Sequence, residues 1–239
     1  MPKISRRNLL IGGTAIAGVA ALMSKPDDIS GPRDPYFLSI QQALMNAGIA
    51  TPTLLIDRAR LNANIDALKR HLPEGMGYRI VAKSLPSISL IQHVAQRANT
   101  DRLMTFNLPM LVALSDLMPE ASQLVGKPLP VQAARLYFER LPPTRIEAAD
   151  HIQWLIDTPN RLTQYQELAR SLNRTLRLNL ELDVGLHRGG FETGANLDAV
   201  LKEIKTDPNL EFAGFMGYEP HIPSLPTTLG WRDKALAGA

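Results

Sequence analysis

Apolar positions along this chain alternate between two periods, one fitting strands and the other helices. Tyr36–Ala47 reads as a short helical approach, followed by a strand, TPTLLID (51–57). From Arg58 the spacing of Leu61, Ile65, Leu68 and Leu72 marks one face of a helix. The pattern then predicts strand 78–83, helix 87–98, strand 102–106 and helix 109–118. Strand 131–138 (VQAARLYF) is expected next, then strand 152–157 and helix 159–172. Strand 176–184, helix 196–205 and strand 211–218 complete the series. Short apolar strands separated by helices are the signature of parallel βαβ units.

One strand discriminates between architectures. LRLNLELDVG (176–185) sets Leu176, Leu178, Leu180, Leu182 and Val184 on one face, with Arg177, Asn179, Glu181 and Asp183 on the other. Such alternation ordinarily marks a sheet with one face in water, yet this strand lies between two helices. A barrel reconciles the two facts, with leucines under the helices and polar groups in the interior. The expected fold is therefore α/β, a (β/α)8 TIM-type barrel. It is incomplete, because counting from the strand at 78–83 gives about six of the eight strands. Period two also puts Arg79, Val81 and Lys83 on a common face of their strand.

Composition narrows the class. The chain has 239 residues, 45% hydrophobic and 21% charged, with a formal charge of +3. Lys3, Arg6 and Arg7 carry part of that charge, leaving no basic stripe for nucleic acid. The absence of cysteine removes disulfides, thiol nucleophiles and thiolate metal sites. Residues 1–24 join a basic start to an uncharged run from Asn8 to Ser24, the layout of an export signal. Ser5-Arg6-Arg7-Asn8-Leu9-Leu10 resembles a twin-arginine signal, which implies a periplasmic or exported protein. The loose small-residue run Val19-Ala20-Ala21 leaves both a cleaved leader and an uncleaved membrane anchor open. Residues 25–48 form a linker and approach helix, and 49–239 the barrel domain.

Candidate chemistry centres on YRIVAKS (78–84), an apolar strand that ends on a lysine. Burying an ammonium is costly unless it is paired or reactive, and the plain alternative is that Lys83 lies just past the strand end and reaches solvent. Together with ELDVGLHRGGF (181–191), GFMGYEPHI (214–222) and TPTLLIDRARLNANI (51–65), this stretch resembles the pyridoxal-phosphate enzymes of the alanine racemase-like fold. The likeness is to their N-terminal barrel domain, and nearest to the D-threonine aldolase and D-serine dehydratase branch. In that branch an arginine precedes the cofactor lysine by four residues, as Arg79 precedes Lys83. The resemblance implies that Lys83 forms the Schiff base with pyridoxal 5'-phosphate and, once freed, acts as a base. It implies cofactor contacts for Arg79, Arg188 and Tyr218, and acid–base roles for Tyr218 and His221. His187 is an open case, either a site residue or an exposed loop histidine. The implied activity is that of a lyase or racemase acting on D-amino or β-hydroxy amino acids, small-molecule substrates. A homodimer and a divalent metal held by a further C-terminal β domain are implied too.

Two departures set limits. The sequence ends at GWRDKALAGA without a seventh or eighth strand, the pattern of a C-terminally truncated barrel or of a fragment. Two open sheet edges lead to the expectation of poor folding and weak cofactor binding. The branch's second lysine, shortly after the first, is replaced by Ser84-Leu85-Pro86. The alternatives are a non-catalytic pyridoxal-phosphate homeostasis protein, an inactive fragment, and an unrelated parallel α/β protein with a structural Lys83.

Overall fold

The computed structural model describes residues 31–85 and 87–222, together with Gly230 and Asp233. The export-signal segment, the start of the linker and most of the last seventeen residues lie outside the described residues. The chain divides into two compact units, residues 1–56 and 57–239.

In the first unit the approach helix is α1 (Pro35–Asn46). Asp34 caps it by accepting a hydrogen bond from the amide of Tyr36, and Pro35 starts it where an unused N–H costs nothing. Residues 51–56 form no strand, contrary to the sequence expectation for 51–57. A TPTLLI run has the right residues for a strand, but a strand exists only where a neighbour satisfies its backbone groups.

The second unit is one sheet of six parallel strands, each hydrogen-bonded to the next in chain order. The strands are β1 (Ile80–Val81), β2 (Arg102–Thr105), β3 (Ser122–Val125), β4 (Ile152–Ile156), β5 (Leu176–Glu181) and β6 (Leu210–Met216). An open doubly wound sheet reverses its order partway, and this one does not. Sequential parallel order with alternating helices is the topology of an incomplete TIM-type barrel. The connecting helices are α2 (Arg58–His71), which precedes β1, then α3 (Ile88–Ala98), α4 (Leu108–Leu117), α5 (Val131–Arg140), α6 (Pro159–Leu172) and α7 (Ala195–Thr206).

Two expectations are corrected. VQAARLYF belongs to helix α5, and the third strand is the short SQLV of β3. Ala134 and Tyr137, three apart and both fully buried, give the helical period, and Ala, Arg and Leu favour it. The strand expected over 78–83 pairs only at Ile80–Val81, because Ala82–Ser84 turn into a single 3-10 coil. Val81 therefore shares a face with Arg79, while Lys83 lies past the end of the pairing.

The polar alternation of β5 is used as a barrel requires. Leu176, Leu178 and Leu180 are buried among the helices, and on the opposite face Asn179 and Glu181 are also buried. The second face carries a hydrogen-bonded ladder across the sheet. Asn179 donates to Gln153 (2.9 Å), Gln153 donates to the Ser122 hydroxyl (3.2 Å), and Arg79 donates to the Ser122 carbonyl (2.8 Å). Arg177 pairs with Glu211 at 3.0 Å. On the helix side Trp154 is completely buried, with Tyr137 and Tyr165 at 5.6 and 5.8 Å between ring centroids.

Beside it lies a buried polar chain: Gln123 donates to Ser115 Oγ, which is 2.9 Å from the Tyr137 hydroxyl. Burial pushes the Tyr137 hydroxyl up to about 12, so it stays a neutral hydrogen-bonding group at ordinary pH. Replacing Ser115 by Ala strands both partners in a dry site. We expect a loss of about 1–3 kcal/mol in urea unfolding, and an unchanged midpoint would remove the chain from the list of stabilising contacts.

Candidate functional site

The C-terminal ends of the strands gather the chemistry-bearing side chains. Lys83 follows β1, Phe106 follows β2 and Gly126 follows β3. Glu181 closes β5, the loop 182–191 carries Arg188, and Tyr218 and His221 follow β6. Parallel strands all finish at one end of the sheet, so these residues share that end by topology.

The loop after β5 is built by hydrogen bonds that fold it back on its own strand. Phe191 donates its amide to the Glu181 carbonyl (2.7 Å), and Asp183 donates to the Phe191 carbonyl (3.0 Å). Gly190 makes this close return feasible. Its φ of +106° is a left-handed value, and a Cβ there would sit 2.6 Å from the Glu181 carbonyl oxygen. The fold-back sets Arg188 against the Glu181 carboxylate, to which it donates a hydrogen bond. Glu181 is about 5% exposed and Arg188 23%. The other side of the guanidinium is covered by the Tyr218 ring, whose centroid is 4.4 Å from its central carbon. Arg188 is thus held between a buried carboxylate and an aromatic face.

Asp183 shapes the tip of the same loop. Its Oδ1 accepts the amides of Gly185 and His187, both at 3.0 Å, and its Oδ2 lies 2.8 Å from His187 Nδ1. His187 itself is largely in solvent and has a positive φ of 54°. The hydrogen bond from His187, followed by the two amides, holds the Asp183 carboxyl below its ordinary value of 3.8. A depressed folded-state value means the loop tip is stabilised above the ordinary value and released as pH falls through the lower one. Protection of the Gly185 and His187 amides, taken relative to their intrinsic exchange at each pH, is therefore expected to hold down to about pH 4 and to fall below it. Loss of protection already at pH 6 would contradict this.

The remaining sequence-predicted residues fall out differently. The side chain of Lys83 is exposed, as the plainer of the two sequence readings has it and not buried on the inner face of the strand, because the 3-10 turn carries it beyond the sheet. Its nitrogen lies 4.2 Å from the centre of the Phe106 ring and, among the described residues, makes no ion pair or hydrogen bond. His221 Nδ1 is buried without a hydrogen-bond partner among the described residues, and the ring lies close to Gly185.

Arg79 is the exception. Its guanidinium donates to the carbonyls of Leu103 (2.9 Å) and Ser122 (2.8 Å), near the starts of β2 and β3. Burial holds it below the ordinary guanidinium range. This occupation is that of a strap across three strands, away from the end where Lys83 and Arg188 lie. Sequence reasoning placed Glu181 on the polar face but not beside Arg188, and it did not single out Phe106. A bare aromatic at a strand end carries no motif, while a carboxylate seven residues before an arginine pairs with it only through a folded loop. Among the described residues no group of three or more His, Asp or Glu side chains is placed to hold a metal, and no helix is long and apolar enough to cross a membrane.

Comparison with known proteins places the fold. Residues 56–230 match the family described as alanine racemase, N-terminal domain. No curated protein matches the chain in sequence. Among solved structures, D-threonine aldolase from Filomicrobium marinum is similar with a TM-score of 0.64 and 16% identity, over 79% of this chain and 50% of the other. Alanine racemase from E. faecalis gives 0.59 and 18%, over 77% and 49%. Histidine racemase from Leuconostoc mesenteroides gives 0.55 and 19%, over 73% and 45%. The chain spans about half the length of these proteins. With six sequential parallel strands and a family match across most of its length, the chain belongs to the alanine racemase N-terminal domain family.

Proposed function

We propose that this chain is the pyridoxal-phosphate-binding barrel of an enzyme acting on D-amino or β-hydroxy amino acids, by aldol cleavage, dehydration or racemisation. The observation that carries it is the Lys83 ammonium, without a carboxylate partner among the described residues, at the same sheet end as a guanidinium fixed by Glu181 and Tyr218. The residues present fit the cofactor in three respects. Lys83 offers an accessible amine for covalent attachment. Arg188 offers a preorganised cation for the ring's polar atoms, and His221 keeps a buried ring nitrogen without a hydrogen-bond partner among the described residues.

When bound, pyridoxal phosphate supplies an electron sink for the carbanion left after a bond to the substrate's α-carbon breaks. The protein's own contributions follow from the geometry. Glu181 neutralises Arg188 and fixes its orientation, so the guanidinium needs no reorganisation when a ligand arrives. The Lys83 amine, once free, takes a proton at Nζ, and the Tyr218 hydroxyl and His221 ring are the further proton carriers at this end. Export by the twin-arginine route, and pairing into a homodimer, belong to the same proposal.

The test is borohydride reduction of the full-length protein incubated with pyridoxal phosphate, followed by peptide mapping. Label on Lys83 is expected. Label elsewhere, or none, overturns the assignment.

A further inference from the structure

Three consecutive strand ends supply three parts of one arrangement around Lys83. The turn after β1 brings the amine, Phe106 after β2 brings a ring, and Gly126 after β3 brings the space for that ring. A Cβ at Gly126 would lie 2.6 and 2.7 Å from ring carbons of Phe106 and 2.7 Å from Cγ of Met104. Any larger residue there must push the ring away. The Gly126 amide donates to the Thr105 carbonyl at 2.8 Å, which ties the two strand ends together immediately beneath the ring. The ring is half-buried, and its face meets the Lys83 nitrogen 4.2 Å from the centroid. The lysine also lines a cavity of about 200 Å³ with Leu85, Ile88, Ile91, Met110 and Leu114, so its stem borders apolar side chains.

We propose that Phe106, seated on Gly126, is a positioning residue that holds the Lys83 ammonium at the mouth of the barrel whenever the amine is not covalently engaged. This rests on Lys83 being the cofactor amine. A carboxylate in that place would hold the ammonium strongly and charged. The negative face of a ring attracts it weakly, by about two- to fivefold in an equilibrium at an exposed site, and lets the amine leave. The seat therefore fixes the direction of the amine without disabling it as a nucleophile or base.

The test needs no cofactor. Full-length protein is treated with a trace of acetic anhydride at a fixed pH near neutrality, and the acylation of Lys83 is measured by peptide mapping against the exposed Lys127 and Lys202. Phe106 is then replaced by 3,4,5-trifluorophenylalanine, which keeps the ring's shape and removes its negative face. Lys83 is expected to react about two- to fivefold faster in that protein, with the two reference lysines unchanged. Gly126→Ala, which displaces the ring, is expected to act in the same direction, and Phe106→Trp in the opposite one. Unchanged Lys83 reactivity in the trifluoro protein overturns the proposal, even if Gly126→Ala alters it, because a packing role responds to shape and not to fluorine. A fluorine response without borohydride labelling of Lys83 keeps the seat and overturns the cofactor assignment. Labelling without a fluorine response does the reverse.

Discussion

Lys83→Ala protein, incubated with pyridoxal phosphate and reduced with borohydride, is expected to carry no label, and any cofactor-dependent turnover to fall by about 10³-fold or more. The same variant is expected to unfold within about 0.5 kcal/mol of the parent. Both halves come from the one geometry. The Lys83 side chain is exposed, and among the described residues its ammonium has the Phe106 face as its contact and no ion pair or hydrogen bond. Chemistry is lost while the fold is kept. Lys127, exposed after β3, is the control, and Lys127→Ala is expected to retain the label on Lys83. If label persists in the Lys83 variant, or moves to Lys127, then the amine that matters is elsewhere.

The second large effect is on stability. Arg188→Met removes the cation from a carboxylate that is about 5% exposed, and it is expected to cost about 3 kcal/mol in urea unfolding. Removing one member of a buried pair is far more damaging than removing both, since the survivor is left charged and dry. The double variant, Glu181→Gln with Arg188→Met, is therefore expected to recover a substantial part of the loss. Equal costs for the single and the double variant would mean that Arg188 stabilises by packing on Tyr218 and not by pairing with Glu181. The Tyr218 contact makes this a real alternative, since the guanidinium carbon lies 4.4 Å from the ring centroid.

Much of the architecture is local and was readable as such. Period two in residues 176–184 announced a strand covered on both faces, and the ladder from Asn179 through Gln153 to Ser122 is what its polar face does. Helix α6 runs over the predicted residues because Thr158, Pro159 and the left-handed Asn173 punctuate it in sequence. The errors have a common cause. VQAARLYF and SQLV are both short and apolar, and only pairing shows which of them enters the sheet. TPTLLI forms no strand because strand identity depends on a neighbour that composition does not name.

The candidate site divides along the same line. The amino acids alone determined alternating βαβ units, one strand with a polar inner face, a lysine closing one strand and an arginine following another. Tertiary structure alone decided that Arg79 straps the starts of β2 and β3, that Gly190 lets a loop return to pair Arg188 with Glu181, and that Phe106 rests on Gly126 beneath Lys83. The physical reason is range. Periodicity and capping arise between residues a few positions apart, so the chain displays them directly, whereas the partner of a buried charge is chosen by backbone that has come from far along the sequence.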